Sequence, residues 1–242
     1  WRPLAPAASQ RETHRGKVAR RGGIGHEEAG TTTGKAAMLL HVLYLVAIVA
    51  EAMTAALAAG RRRMDWVGVC LLGSVTALGG GSCRDVLLGR YPLSWVENPA
   101  LLAVTAVAAM ATIPLARFMY SLRRLFLLLD AVGLVVFTVI GCNIAMAMGL
   151  SVPVVIMSGM ITGCVGGVLR DVLCNDVPLL FRSELYASVS VLTGGAYLGG
   201  LAMGLPHDVV LFAAMGFGLA LRLLALRFNW NMPRFIYTQD LH

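Results

Sequence analysis

Gly80-Gly81-Ser82-Cys83-Arg84-Asp85-Val86-Leu87 returns 86 residues later as Gly166-Gly167-Val168-Leu169-Arg170-Asp171-Val172-Leu173, and the match runs on to Pro92-Leu93 and Pro178-Leu179. Each copy sits in a long apolar run, so each places an Arg-Asp pair inside an otherwise apolar helix. Glycine at these positions costs helix stability, about 1 kcal/mol each against alanine. A charge carried into a bilayer costs about 3 kcal/mol or more and normally pairs or lines a pathway. A pattern so costly that occurs twice sets the frame for the rest of the chain.

Composition agrees with a bilayer setting. Of 242 residues, 57% are hydrophobic and 14% charged, with a mean hydropathy of +0.73, whereas a soluble domain carries about 25% charged residues. Too little polar surface exists to cover a soluble core, which sets aside the soluble enzyme classes. The basic balance, with pI near 9.5, suits membrane topology and not nucleic acid, because the basic residues fall in loops and an N-terminal arm. Cys70, Cys83, Cys142, Cys164 and Cys174 lie in apolar stretches with no CxxC spacing, so neither a disulfide framework nor a zinc site is expected. His14, His26, His41, His207 and His242 are too scattered for a helical metal motif. Gly30-Thr31-Thr32-Thr33-Gly34-Lys35 lacks the spacing of a phosphate-binding loop. No nucleophile–base pair stands out, so the sequence predicts transport without chemistry, with no cofactor and no metal.

A membrane core of ~30 Å takes about 20 helical residues. Apolar runs of that order occupy 38–60, 66–89, 100–120, 125–148, 152–174, 185–205 and 208–228, predicting an all-α integral membrane protein of seven helices. Breaks fall at Arg61-Arg62-Arg63, Pro92 with Pro99, Arg123-Arg124, Gly149 with Pro153, Pro178 with Arg182, and Pro206. Arginine placement orients the bundle: Arg61–Arg63, Arg117, Arg123, Arg124, Arg182, Arg227 and Arg234 share one side and Arg90 alone lies on the other. By the positive-inside rule the C-terminus is cytoplasmic. Residues 1–37 carry seven Lys/Arg against three acids and no apolar periodicity. They read as a disordered basic arm that would have to be translocated, so translation is expected to begin naturally at Met38.

The repeated motif lies in the second helix of each of two three-helix blocks, 38–120 and 125–205, with 206–242 as a seventh helix and tail. Three is odd, so the second block enters the membrane from the opposite side, the inverted repeat of transport proteins. Gly79-Gly80-Gly81 and Gly163, Gly166 and Gly167 are expected to kink these helices and free backbone carbonyls near the midplane. Arg84/Asp85 and Arg170/Asp171 then either pair structurally across the pseudo-twofold or line a pathway. The two readings are compatible.

The string Ala77-Leu78-Gly79-Gly80-Gly81-Ser82-Cys83-Arg84-Asp85-Val86-Leu87-Leu88-Gly89 resembles a bacterial inner-membrane family with two "glycine transporter" domains, grouped with the prokaryotic TRIC (trimeric intracellular cation) channels. So do Leu129-Asp130-Ala131-Val132-Gly133-Leu134 and Gly163 to Asp171, and the likeness covers roughly 38–236. The resemblance implies a 3+3+1 fold, a homotrimer, potassium conduction and one pore per protomer lined by the two glycine-rich helices. The family's older label implies amino-acid transport. One departure concerns Asp130: at an offset of 89 its counterpart is His41, and the acid of the first block is expected to have moved to Glu51.

Two function classes follow. In a cation channel, freed carbonyls and the hydroxyls of Ser82, Thr76 and Thr162 would replace ion hydration, with Arg84 and Arg170 restricting passage. In a carrier of glycine or another small amino acid, half-helix N-termini would meet the carboxylate and Asp85 or Asp171 the amine. A non-conducting scaffold is a third reading. Glu51 and Asp130 read as cation ligands, proton carriers or paired structural carboxylates. Arg222 reads as a snorkelling residue or the partner of a neighbouring carboxylate. Gly159/Gly163, Gly195/Gly199 and Gly200/Gly204 read as packing faces, with the trimer contact among them. Trp66, Trp95, Trp230, Tyr91 and Tyr237 read as interfacial anchors.

Overall fold

The computed structural model describes residues 25–116, 122–181, 185–228 and 230, of which 25–37 by backbone alone. In chain order the helices are α1 Gly25–Arg61, α2 Trp66–Leu88, the single turn α3 Ser94–Glu97, α4 Ala100–Ala116, α5 Leu122–Ala147, α6 Val152–Leu173, α7 Tyr186–Ala202 and α8 His207–Phe228, with a 3₁₀ turn at Leu179–Phe181. The seven expected spans correspond to α1, α2 and α4 to α8. Met38–Arg61 of α1, α2, α5, α6 and α8 are long and apolar enough to cross a membrane; α4 and α7 have 17 residues each. α1 begins at Gly25, ahead of the Met38 where the first span was expected to start. Residues 1–24, with Arg117, Arg182, Arg234 and Tyr237, lie outside the described residues.

The polarity of the bundle is reversed from that of a soluble protein. Leu71, Val107, Leu192 and Phe212 are exposed, while Thr54, Thr138, Ser190, Arg84, Arg170 and Arg222 are buried. A hydrocarbon solvent favours that arrangement, because polar groups there must find partners inside the protein. The core is built of small residues: Ala55, Ala58 and Ala59 of α1 pack on Leu72 of α2 and Ala109 of α4.

The 86-residue repeat reaches the helix ends. Gly89, just past α2, and Asn175, just past α6, are equivalent by the repeat, and both adopt left-handed backbone, φ +66° and +53°. The turn α3 and the 3₁₀ turn at Leu179–Phe181 follow at corresponding places. Asp65 begins α2 by accepting the Gly68 amide at 2.7 Å.

Helices α2 and α6 cross backbone to backbone. A Cβ on Gly80 would collide with the Thr162 carbonyl oxygen, and one on Gly166 with the Thr76 carbonyl oxygen. These four residues are themselves two pairs 86 apart, so the crossing is reciprocal. Both helices are unbroken through their glycines. The expected interruption with freed carbonyls is therefore absent, and Gly80 and Gly166 serve instead as the contact surface between helices. The same holds for Gly159 and Gly163, whose missing side chains admit the Thr138 and Leu134 carbonyls of α5. Gly200 packs on Val210, but Gly204 at φ +74° terminates α7, so that pair is not one packing face. At Gly195 and Gly199 a side chain would meet no described atom within 4 Å of its Cβ.

Candidate functional site

The two Arg-Asp pairs become two separate buried centres. Arg84 does not reach across to the second half; it turns back onto the next residue, with Nε and Nη2 donating to Asp85 Oδ1 at 2.9 and 2.8 Å. Arg170 Nε likewise donates to Asp171 Oδ1 at 2.8 Å. The expected ion pairs across the pseudo-twofold give way to pairs within each motif. Arg84, Asp85 and Arg170 are 0–3% exposed and Asp171 is 7% exposed.

Beyond that shared unit the centres differ. Around Arg84, a second cation approaches: Arg90 Nη1 lies 3.4 Å from Asp85 Oδ1. Asp85 Oδ2 makes no hydrogen bond among the described residues. Tyr44 of α1 lies within electrostatic reach of Arg84 and Asp85 beside Ser94, and packs edge-on against Phe137 of α5 at 6.2 Å. Arg84 also lines a cavity of about 360 Å³ with Leu87, Pro153, Met157 and Ser158.

Around Arg170, carboxylates gather. Nη1 donates to Asp130 Oδ1 of α5 at 2.8 Å and to Thr54 Oγ1 of α1 at 3.0 Å. Glu51 Oε2 stands 3.8 Å from the same nitrogen and accepts from Thr54 at 3.2 Å. Asp171 Oδ2 accepts the Leu179 amide at 2.9 Å, tying the centre to the turn after α6. The guanidinium stacks on Phe126 at 4.6 Å, and Arg61 stacks on the same ring at 4.9 Å. Phe126 in turn lines a cavity of about 550 Å³ that also touches Arg61, Trp66 and Arg123.

Glu51 thus joins Asp130 at Arg170. It does not replace an acid at Arg84, which corrects the reading that pairs it with the first block. At the repeat's own offset of 86 the counterpart of Asp130 is Tyr44, not His41. Arg222 does not snorkel: it is fully buried and lies over the Tyr186 ring at 4.6 Å. Two of the three expected hydroxyls are engaged locally, Ser82 donating to the Leu78 carbonyl at 2.8 Å and Thr162 to the Ser158 carbonyl at 2.6 Å. The Thr76 hydroxyl makes no hydrogen bond among the described residues. Trp95 Nε1 donates to Ser82 at 3.2 Å. Gly79 accommodates Leu169, and a Cβ added at Gly81 would lie 3.7 Å from Arg84 Nη2. Among the described residues no His, Cys, Asp or Glu cluster is arranged to hold a metal ion.

Sequence reasoning missed Thr54, Tyr44, Arg90, Phe126 and Tyr186. Signals existed for two of them. Thr54 follows Glu51 at the i+3 helical spacing that puts both on one face, and Tyr44 is the 86-residue partner of Asp130.

A family model described as "Glycine transporter" matches the chain twice, at residues 41–117 and 127–202. The chain belongs to that family. Its members group with the prokaryotic TRIC channels, as the GG-x-x-RD motif led us to expect, and these are membrane channels rather than enzymes. The UPF0126 inner membrane protein YadS of Escherichia coli strain K12 is 38% identical over 84% of this chain and 99% of its own length. A UPF0126 membrane protein of Vibrio cholerae serotype O1 is 36% identical over 89% of this chain and 91% of its own. The crystal structure of the TRIC trimeric intracellular cation channel orthologue from Rhodobacter sphaeroides superimposes with a TM-score of 0.76 at 35% identity, covering 79% of this chain and 98% of that one. A trimeric intracellular cation channel from C. elegans, at 14% identity and a TM-score of 0.55, shares the fold. The family is one of multi-pass membrane proteins, and this chain is one.

Proposed function

We propose that the protein is a potassium-permeable cation channel of the bacterial inner membrane, working as a homotrimer with one pathway in each protomer. Two inverted three-helix blocks plus α8 would form each protomer, with the C-terminus in the cytoplasm, and the span from Met38 would suffice for insertion and conduction. The observation that carries this reading is the α2–α6 crossing: two membrane helices in backbone contact at Gly80 and Gly166, each carrying a buried Arg-Asp pair just beyond the contact. Such buried charge is costly in a bilayer unless it serves a pathway. The 35% identity to a bacterial TRIC channel across 98% of that chain supports it.

A carrier of small amino acids would use half-helix N-termini to hold the substrate carboxylate. Unbroken α2 and α6 offer none, which favours the channel. Planar-bilayer recording of the purified protein in potassium chloride tests the choice. Unitary currents are expected; saturable glycine uptake with no unitary current would overturn the channel reading.

A further inference from the structure

The repeated motif has a consequence for a cation pathway: each copy contributes one arginine and one aspartate, so the motif itself has no net charge. At the Arg84 centre the balance is positive, because Arg84 and Arg90 share Asp85. At the Arg170 centre Asp171, Asp130 and Glu51 face Arg170. With Arg222 stacked on Tyr186 and Arg61 stacked on the Phe126 ring that Arg170 also covers, these three carboxylates are matched by three guanidinium groups. The negative charge that this centre has and the Arg84 centre lacks comes from two residues outside the motif, Glu51 and Asp130.

We infer that Glu51 and Asp130 are the residues that make the pathway select monovalent cations over anions. This rests on the channel reading above. Each carboxylate directs one oxygen at Arg170 and keeps the other without a hydrogen bond: Glu51 Oε1 and Asp130 Oδ2 are both buried and unpartnered among the described residues. A further buried oxygen lies near Asp130. The Tyr186 hydroxyl, on a residue 2% exposed, also finds no hydrogen-bond partner among the described residues. It lies 3.2 Å from the point where a Gly167 Cβ would be, with Arg170 Nη2 at 3.5 Å and Asp130 Oδ1 at 3.8 Å from that point. Gly167 therefore lets the Tyr186 hydroxyl and the Arg170–Asp130 pair come up against the α6 backbone. Two carboxylate oxygens with no donor, held in low dielectric, attract a cation far more strongly than exposed ones. The described part of the Arg84 centre has no such pair, since Tyr44 stands where the repeat would put the acid of Asp130, and Phe137 where it would put Glu51.

The test is the potassium-to-chloride permeability ratio, read from reversal potentials across a potassium chloride gradient. Glu51→Gln and Asp130→Asn are each expected to lower the ratio severalfold, while Glu51→Asp, which keeps the charge, holds it near that of the parent. Tyr44→Asp, which supplies the missing acid at Arg84, is expected to raise it. Parent currents with an unchanged ratio in Glu51→Gln and Asp130→Asn would overturn the assignment and leave the channel reading standing. Absence of current in the parent would instead remove the channel reading. Should neither neutralised variant assemble, an unchanged ratio in Tyr44→Asp overturns the assignment by itself.

Discussion

At Arg170, five polar or aromatic groups from three helices converge on one guanidinium: Asp171, Asp130, Glu51, Thr54 and Phe126. Arg84 is held by Asp85, and Asp85 keeps a second cation in Arg90. Removing one partner of a buried ion pair costs about 3–5 kcal/mol, because the remaining charge stays buried without compensation. Arg170→Ala leaves three carboxylates together, so it is expected to lose stability in that range and to assemble poorly. Arg84→Ala leaves one aspartate that Arg90 still serves, so its loss is smaller. Thermal unfolding of the detergent-purified variants checks the order. Equal midpoints for the two variants would contradict the asymmetry of the centres. Identical Arg-Asp strings carry no hint of this ranking, because the difference lies in what α1 and α5 bring to them.

At the scale of the helix, glycine has several distinct uses in this chain, and the structure separates them. Gly80 and Gly166 let α2 and α6 meet at their backbones, where an added methyl would strike a carbonyl oxygen that cannot move aside. Gly80→Ala and Gly166→Ala are each expected to cost about 1–3 kcal/mol, as overpacking in a well-filled core does. A Cβ added at Gly81 would meet only the flexible end of Arg84, at 3.7 Å, so Gly81→Ala is expected to be neutral or to gain up to about 1 kcal/mol of helix propensity. A thermal-stability series over the three variants decides it; a loss at Gly81 equal to that at Gly80 would mean that all the glycines act alike. Glycine runs inside apolar helices are visible in sequence as weak points. Whether such a point bends or packs depends on what lies across from it, and that is a neighbour 86 residues away.

For the whole molecule, the exterior is apolar where it would face lipid or a second copy, with Leu71, Val107, Leu192 and Phe212 exposed. Gly195 and Gly199 on α7 lie in open space among the described residues of the single chain. Small residues at such spacing let helices of neighbouring subunits approach closely. In the proposed trimer, Gly195→Leu is expected to reduce the trimeric fraction while leaving each protomer folded, as read by cross-linking and native mass measurement in mild detergent. An unchanged trimeric fraction would place the contact on another face.

The sequence by itself determined the membrane setting, the positions of five apolar helices long enough to span, and the duplication. A bilayer rewards only long apolar helices, so composition and length suffice for the first two, and the duplication is written as repeated residues from Gly80-Gly81 and Gly166-Gly167 to Pro92-Leu93 and Pro178-Leu179. Tertiary structure alone decided where the charges go. Glu51 belongs to the first block by sequence, yet its carboxylate lies 3.8 Å from Arg170 of the second. Rotation of α1 about its own axis sets that partner, and rotation is fixed by the packing of Ala55, Ala58 and Ala59 on neighbouring helices. A helix that is apolar on nearly every face carries no periodic signal to declare which way it turns.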